Sequence, residues 1–285
     1  MRRTVSVMAV LVGISAWSWA QGSKPAAASP GQTAGQAGQA AAPAGKRPPQ
    51  AQTQPEFQAY KAAIALTDAA AVEKAADDFA TKFPTSELRV VLYKAAMQRY
   101  QQANNVDKMM EMARKALTFD GDDPEALLAV SQGLAEGVHD TDLDKDQKTA
   151  EAKKDAERAL VTIDTDVPTS GYPPEQLEAF KNFMRSEAYL ILGTLSFKGD
   201  NYPDAEVNLR KSIDAYPQQP DPVGVFRLAV ALDEQKKYPE ALKFANQAVD
   251  MTKDHPDSGV GKASRDEKDR LEKLSGGTAP GAAKQ

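Results

Sequence analysis

The segment YPDAEVNLRKSIDAYP at residues 202–217 decides the fold, because a similar segment, YPEALKFANQAVDM, follows it at residues 238–251. Each segment places small or apolar residues three or four positions apart, so these residues share one face of a helix. They are Ala205, Leu209 and Ser212 in the first segment and Ala241, Ala245 and Ala248 in the second. Small side chains on that face let a second helix approach closely, so the repeat predicts closely packed helix pairs.

A second amphipathic pattern precedes each of these segments. Its apolar and small positions are Tyr189, Leu192, Gly193 and Ser196 before the first segment, and Val225, Leu228, Ala229 and Leu232 before the second. Pro203 and Pro239 lie in the first turn of the later helix of each unit, where a missing amide N–H breaks no hydrogen bond. Each unit is therefore predicted to be a helix, a turn and a second helix.

This pattern resembles the tetratricopeptide repeat, a helix–turn–helix unit of about 34 residues. Units with the pattern lie near residues 57–84, 90–123, 124–163, 175–219 and 222–251. The unit at 124–163 carries an acidic insertion at 137–146, and a polar helix at 263–274 follows the last unit. The resemblance implies an all-α fold, an α-solenoid of stacked antiparallel helix pairs that forms a tetratricopeptide-like superhelix and ends in a C-terminal capping helix.

The first 20 residues have the pattern of a secretory signal peptide. Arg2 and Arg3 precede an apolar run at residues 5–19, and Ser18 and Ala20 supply the small side chains of a cleavage site. An uncleaved anchor is the alternative, but the run is short for a membrane span. The chain has no cysteine for lipid attachment. We therefore predict a bacterial protein that is exported to the periplasm or secreted, with no stable membrane insertion after cleavage.

The next segment, residues 21–55, consists almost entirely of Ala, Gln, Pro and Gly. Without aromatic or branched aliphatic side chains before residue 56, it cannot bury enough apolar surface to offset the loss of chain entropy. We predict a disordered linker there and a disordered tail at residues 276–285. The helical repeat domain is then residues 56–275.

Composition excludes several kinds of chemistry. With no cysteine, the chain has no disulfide, no thiolate metal ligand and no cysteine nucleophile. Its formal charge of −5 is not the basic footprint of a nucleic-acid-binding protein. The two histidines, His139 and His255, form no His-Glu-x-x-His pair, and no Gly-x-Ser-x-Gly motif is present. We predict a non-catalytic protein without a cofactor.

The acidic insertion is the most distinctive polar feature of the chain. Its carboxylates match positions 1, 3, 5, 7 and 12 of an EF-hand calcium loop. They are Asp140, Asp142, Asp144, Asp146 and Glu151. Position 6 of such a loop is glycine, whereas this chain has Lys145 there. A calcium site and a solvated acidic loop both remain open as interpretations, and the former would make the chain a calcium-responsive binding protein.

The resemblance also implies that the first helix of each unit lines a concave groove. The implied inner positions are Lys94, Gln98, Gln101, Leu128, Gln132, Leu190, Ile191, Thr194, Phe197, Phe226, Arg227 and Val230. Some members of the family bind a peptide carboxylate with Lys, Asn and Arg in such positions, but here only Lys94 and Arg227 are comparable. The C-terminal half of the groove is apolar. We expect it to receive a helix or extended segment of another protein, unless the chain covers this surface itself. The predicted role is a protein–protein interaction scaffold of the bacterial cell envelope.

Overall fold

The computed structural model describes residues 46–169 and 173–276, and this part of the chain forms 11 α-helices and no strand. The predicted signal peptide, residues 21–45 of the predicted linker and residues 277–285 of the predicted tail lie outside the described residues. The helices are α1 Gln54–Ile64, α2 Ala69–Lys82, α3 Leu88–Gln102, α4 Val106–Leu117, α5 Pro124–Gly137, α6 Lys145–Asp166, α7 Pro174–Lys198, α8 Tyr202–Ala215, α9 Pro222–Glu234, α10 Tyr238–Met251 and α11 Gly259–Gly276.

The helices pack as successive pairs, α1 with α2 through α9 with α10, and the second helix of each pair also packs on the first helix of the next. The first helices of consecutive pairs contact each other at α1–α3, α5–α7, α7–α9 and α9–α11, whereas consecutive second helices make at most marginal contact. The side of the first helices is therefore the shorter, inner side of the stack. This arrangement confirms the predicted all-α solenoid of helix pairs.

The repeated small residues form the contacts within the pairs. In α6, α8 and α10 the buried positions recur at the same spacing, and none of them is more than 4% exposed. They are Ala152, Ala156 and Ala159, then Ala205, Leu209 and Ser212, then Ala241, Ala245 and Ala248. Alanine at these positions brings helix backbones close together, which explains why the chain folds with so few aromatic residues.

The turns between paired helices repeat as well. Asn104, Asp200 and Lys236 each have a positive φ, of 54°, 55° and 62° respectively, and each is the second of three residues in the turn. In each turn the following residue donates its N–H to a carbonyl five residues earlier, which is the hydrogen bond of a left-handed helix cap. Three units of the stack therefore use the same turn geometry.

Gly193 is the point of closest approach between α7 and α8. A Cβ atom at this residue would lie 2.7 Å from Cγ of Leu209 and 3.2 Å from its backbone nitrogen. Gly193→Ala is therefore expected to lower the free energy of unfolding by about 1–2 kcal/mol, although alanine has the higher helix propensity. Denaturant unfolding measures the change.

The matched control for this prediction is Gly137→Ala at the end of α5, where an added Cβ would meet no atom within 4 Å. This variant is expected to gain about 0.5 kcal/mol from reduced entropy of the unfolded chain. Equal gains from both substitutions would show that the α7–α8 contact is not close.

The last helix packs against α9 and α10, with Leu271 fully buried and Leu274 exposed. The longest helix, α7, extends over two packing layers by contacting α5 and α6 as well as α8 and α9. Within the described residues, no helix combines the length and the apolar character needed to cross a membrane.

The segment before α1 differs from the prediction. Residues 46–53 were predicted to be part of a disordered linker, but they lie along the edges of the helices. Lys46 places its Nζ 2.6 Å from Asp120 and 3.2 Å from Asp166, and the guanidinium of Arg47 pairs with Glu87. Composition alone does not indicate this, because Lys46 and Arg47 pair with carboxylates distant in the chain, and these ion pairs replace the apolar contacts that the segment lacks.

Candidate protein-binding surface

The inner surface, formed by α3, α5, α7 and α9, is where the sequence predicts a partner to bind. The structure divides the predicted residues by exposure. Gln98 is exposed, and the partly exposed residues are Lys94, Gln101, Gln132, Leu190, Phe197 and Val230. The buried residues are Leu128, Ile191, Thr194, Phe226 and Arg227. The chain therefore covers a large part of the predicted groove itself.

At Phe226 the chain covers the predicted groove itself, which is the alternative that the sequence left open. Phe226 is 7% exposed and packs in a cluster with Val225, Ala248 and Val260, between α9, α10 and α11. Ile191 is buried in the large N-terminal core in the same way. The capping helix α11 therefore contributes to the burial of Phe226 at the C-terminal end of the stack.

Lys94 is occupied within the fold. Its Nζ lies 2.8 Å from Oδ2 of Asp123 and 2.5 Å from Oε1 of Glu125, so it joins α3 to the start of α5. Burial alone would lower the pKa of Lys94, but the charges of Glu125 and Asp123 raise it above its ordinary value. A lysine held by two carboxylates is not free to bind the carboxylate of a peptide.

Arg227 is also occupied, at the point where α5, α7 and α9 meet. Its two terminal nitrogens donate to both carboxylate oxygens of Glu136, at 3.0 and 3.1 Å, and Nη1 also donates to Oγ1 of Thr194 at 2.8 Å. Such a two-pronged pair fixes the relative orientation of its partners. Arg227 therefore ties three first helices together rather than presenting a free charge to a ligand.

Lys198, at the end of α7, completes this internal cluster. Its Nζ donates to the carbonyl oxygens of Ala135, Glu136 and Val138, at 2.7, 2.9 and 3.2 Å. These carbonyls belong to the C-terminal end of α5, where helix acceptors lack partners and the helix dipole is negative. Burial lowers the pKa of Lys198, with Glu136 opposing that effect. Its charge stabilises a helix end.

Two carboxylates on the same surface have no such partner. Glu187 lies on α7 and accepts no hydrogen bond from any described residue. Asp221 is the N-cap of α9, where Oδ1 accepts the N–H of Gly224 at 2.7 Å, and it forms no ion pair within the described residues. Burial raises the pKa of Glu187 to about 7, and the charge of Asp221 adds to that effect. Burial raises the pKa of Asp221 as well.

The acidic insertion does not form a calcium site in this structure. Lys145 lies 2.7 Å from Asp140, Lys148 lies 2.9 Å from Asp144, and Glu151 points away to pair with Arg114. Among the described residues, no group of three or more histidine, aspartate or glutamate side chains is placed to hold a metal ion. In the described structure α6 begins at Lys145 and its lysines pair with carboxylates that would be ligands, so the arrangement gives no support to the calcium interpretation and agrees with a solvated acidic loop.

Four further residues of the inner surface were not predicted from the sequence: Glu136, Glu187, Lys198 and Asp221. Glu136 follows Gln132 by one helical turn, Lys198 follows Thr194 by one turn, and Glu187 precedes Ile191 by one turn. Extending the helical spacing by one turn in each direction would have placed them on the inner surface. Which of them pair with each other depends on how far apart the stacked helices lie.

Comparison with known proteins leaves the chain without an assigned family. No family model matches it, and no curated protein matches it. Among solved structures, it is similar to a chain described as an assembly chaperone of RpL4, Acl4, residues 1–338, with a TM-score of 0.42 and 13% sequence identity. The match covers 79% of this chain and 99% of the other. The resemblance to the tetratricopeptide repeat is therefore supported by the residue pattern of this chain and by no matching family model.

Proposed function

We propose that this protein is a non-catalytic scaffold with a tetratricopeptide-like superhelix, and that it holds a segment of a partner protein on its inner surface. The observation that supports this most directly is a row of side chains that the fold leaves accessible there. These side chains are Gln98, Gln101, Gln132, Leu190 and Val230, contributed by α3, α5, α7 and α9. Amide and aliphatic side chains spread over four helices suit an extended contact with a protein segment.

The arrangement of reactive side chains supports a role without catalysis. His139 and His255 are both exposed, and they lie in separate connections, before α6 and before α11. In the described part of the chain, two shallow depressions of about 350 and 460 Å³ contain no histidine; one lies between α1 and α2 and the other beside α6. No nucleophile, base and orienting group meet at either place.

Export to the cell envelope remains part of the proposal. It rests on the signal-peptide pattern of residues 1–20 and on the linker composition that follows it.

A photo-crosslinking amino acid placed at Gln98 or at Gln132 tests the proposal in the native host. Both positions are expected to give a crosslinked adduct with a common partner on illumination, since both side chains face the inner surface. Val207 on α8 and Lys153 on α6, which are exposed on second helices, are the matched outer controls. Adducts to the same partner from the outer positions, or no adduct from Gln98 and Gln132, would contradict binding at the inner surface.

A further inference from the structure

The two ends of the helix stack expose different kinds of surface. At the C-terminal end, α11 packs on α9 and α10, and most of its exposed residues are charged, among them Asp266, Arg270 and Lys273. At the N-terminal end, α1 and α2 pack on each other and on α3, and no further described helix makes more than marginal contact with them. Because a solenoid keeps a polar face at each free end, an apolar face at the N-terminal end indicates that something covers it.

The uncovered side of α1 and α2 carries an apolar depression of about 350 Å³. Leu66 is 37% exposed there, and the partly exposed ring of Phe83 lies 5.0 Å from the ring of Phe79 beneath it. Asp78 and Lys82 also line the depression, and both are exposed, one helical turn apart on α2. The surface therefore combines an apolar centre with one anion and one cation.

Both charges are accessible to a second molecule. Lys82 forms no ion pair within the described residues, and its Nζ lies 5.4 Å from the centre of the Phe83 ring. Asp78 pairs with Lys74 at 2.6 Å, but the side chains of Lys74 and Asp78 are 76% and 69% exposed. An ion pair as exposed as this contributes little to stability, so Asp78 can exchange Lys74 for another cation at low cost.

We propose that two copies of this chain associate through this depression about a two-fold axis. Across such an axis, if residue i of one copy contacts residue j of the other, then j also contacts i. An axis midway between Asp78 and Lys82 places Asp78 of each copy opposite Lys82 of the other and brings the two apolar depressions together. An anion and a cation one turn apart are complementary to themselves, which favours a second copy as the occupant.

The segment before α1 is a less suitable occupant of the depression. Residues 21–45 contain no aromatic or branched aliphatic side chain that would fill it. Lys46 then holds the chain at Asp120 and Asp166, beside the C-terminal ends of α4 and α6. Those helices belong to the second and third pairs, whereas the depression lies in the first pair.

The size of the surface sets the strength of the association. Helices α1 and α2 have 11 and 14 residues. At 1.5 Å per residue and a width of about 10 Å for each helix, their outer face measures about 20 Å by 20 Å. The two copies together then bury about 800 Å², which is typical of weak, reversible complexes. We therefore expect a dissociation constant of about 10–100 μM.

Sedimentation velocity of the full chain, purified from its native host, measures this association. The weight-average mass is expected to rise from one chain towards two between about 5 μM and about 500 μM. The mass of a single chain at every concentration would overturn the proposal, whether residues 21–45 or another protein covers the depression.

A charge exchange on α2 tests the two-fold arrangement. Asp78→Lys places two lysines opposite each other at both contacts, and Lys82→Glu places two carboxylates there, so each variant alone is expected to remain monomeric up to about 500 μM. An equimolar mixture of the two variants restores an attractive pair at both contacts and is expected to dimerise about as strongly as the wild type. A mixture that stays monomeric, or single variants that dimerise normally, would refute this arrangement.

Lys153→Glu and Glu157→Lys are the matched controls. These residues form an exposed pair one turn apart on α6, with side chains 64% and 56% exposed, and they do not line the depression. Each control variant is expected to dimerise like the wild type. Circular dichroism of all four variants is expected to show unchanged helix content, because every substitution is at an exposed helical position.

Discussion

Replacement of Arg227 by methionine is expected to lower the free energy of unfolding by about 3 kcal/mol. Arg227 is 7% exposed, and loss of its guanidinium removes both hydrogen bonds to Glu136 and the one to Thr194. Glu136 would then keep its charge beside a helix end that already carries the negative end of the α5 dipole. Because α5, α7 and α9 meet at this point, we expect the loss to loosen the stack as a whole rather than one pair.

Chemical denaturation followed by circular dichroism measures this effect, and a double-mutant cycle with Glu136→Gln assigns it. The double variant is expected to be more stable than the sum of the single losses predicts, by about 1–2 kcal/mol, since no unpaired charge then remains. Arg158→Met provides the control, because Arg158 pairs with Asp122 at an exposed site and its loss is expected to cost less than about 1 kcal/mol. A loss at Arg227 no larger than at Arg158 would show that the buried pair does not hold the helices together.

The second large effect is a dependence of stability on pH that originates at Glu187. Its pKa is about 7 in the folded protein and 4.5 ordinarily. Between these values the folded state binds a proton that the unfolded state has released, so stability rises as the pH falls from 7 to 4.5. Above pH 7 the carboxylate of Glu187 is ionised in both states, and the full free-energy cost of enclosing its charge then lowers the stability of the folded state. Because Glu187 is only partly enclosed, we expect a difference of about 2 kcal/mol across this window.

The contribution of Glu187 has to be isolated, because other carboxylates act in the opposite direction. The hydrogen bond from the Ser86 hydroxyl lowers the pKa of Glu56, so the stability that Glu56 provides is lost at lower pH. The quantity to measure is therefore the difference in unfolding free energy between Glu187→Gln and the wild type. It is expected to be large and positive near pH 8 and to approach zero near pH 4. A difference that is constant over this range would refute the assignment, and Asp214→Asn, which removes a charge at an exposed position on α8, is expected to show no such trend.

The positions of the helices and their buried faces could be predicted from the sequence. The register of Ala205 and Leu209, and of Ala241 and Ala245, identified the contact faces of α8 and α10. The prediction succeeded because these contacts form within one helix pair, between residues close together in the chain. The burial of Phe226 could not be predicted in this way, because it depends on how far the capping helix α11 turns over α9.

The acidic insertion is a second feature whose contacts with distant residues could not be predicted from the sequence. Its carboxylates have the spacing of a calcium loop, and spacing is all that a sequence pattern records. In the folded chain Lys145 and Lys148 reach back over these carboxylates, and Arg114 of the neighbouring α4 pairs with Glu151. These ion pairs, one of which involves another helix pair, depend on contacts that the spacing of the carboxylates does not record.

By itself, then, the sequence determined the helical pairs, their order and their small-residue contact faces, because helical periodicity is a local property of the chain. Only the tertiary structure decided which inner side chains remain free. Arg227 and Glu136 are 91 residues apart in the chain, yet their pairing removes a cation from the groove that the sequence assigned to a ligand. Among the described residues Glu187 forms no ion pair for the same reason, since charge is balanced between stacked helices whose separation no local pattern encodes.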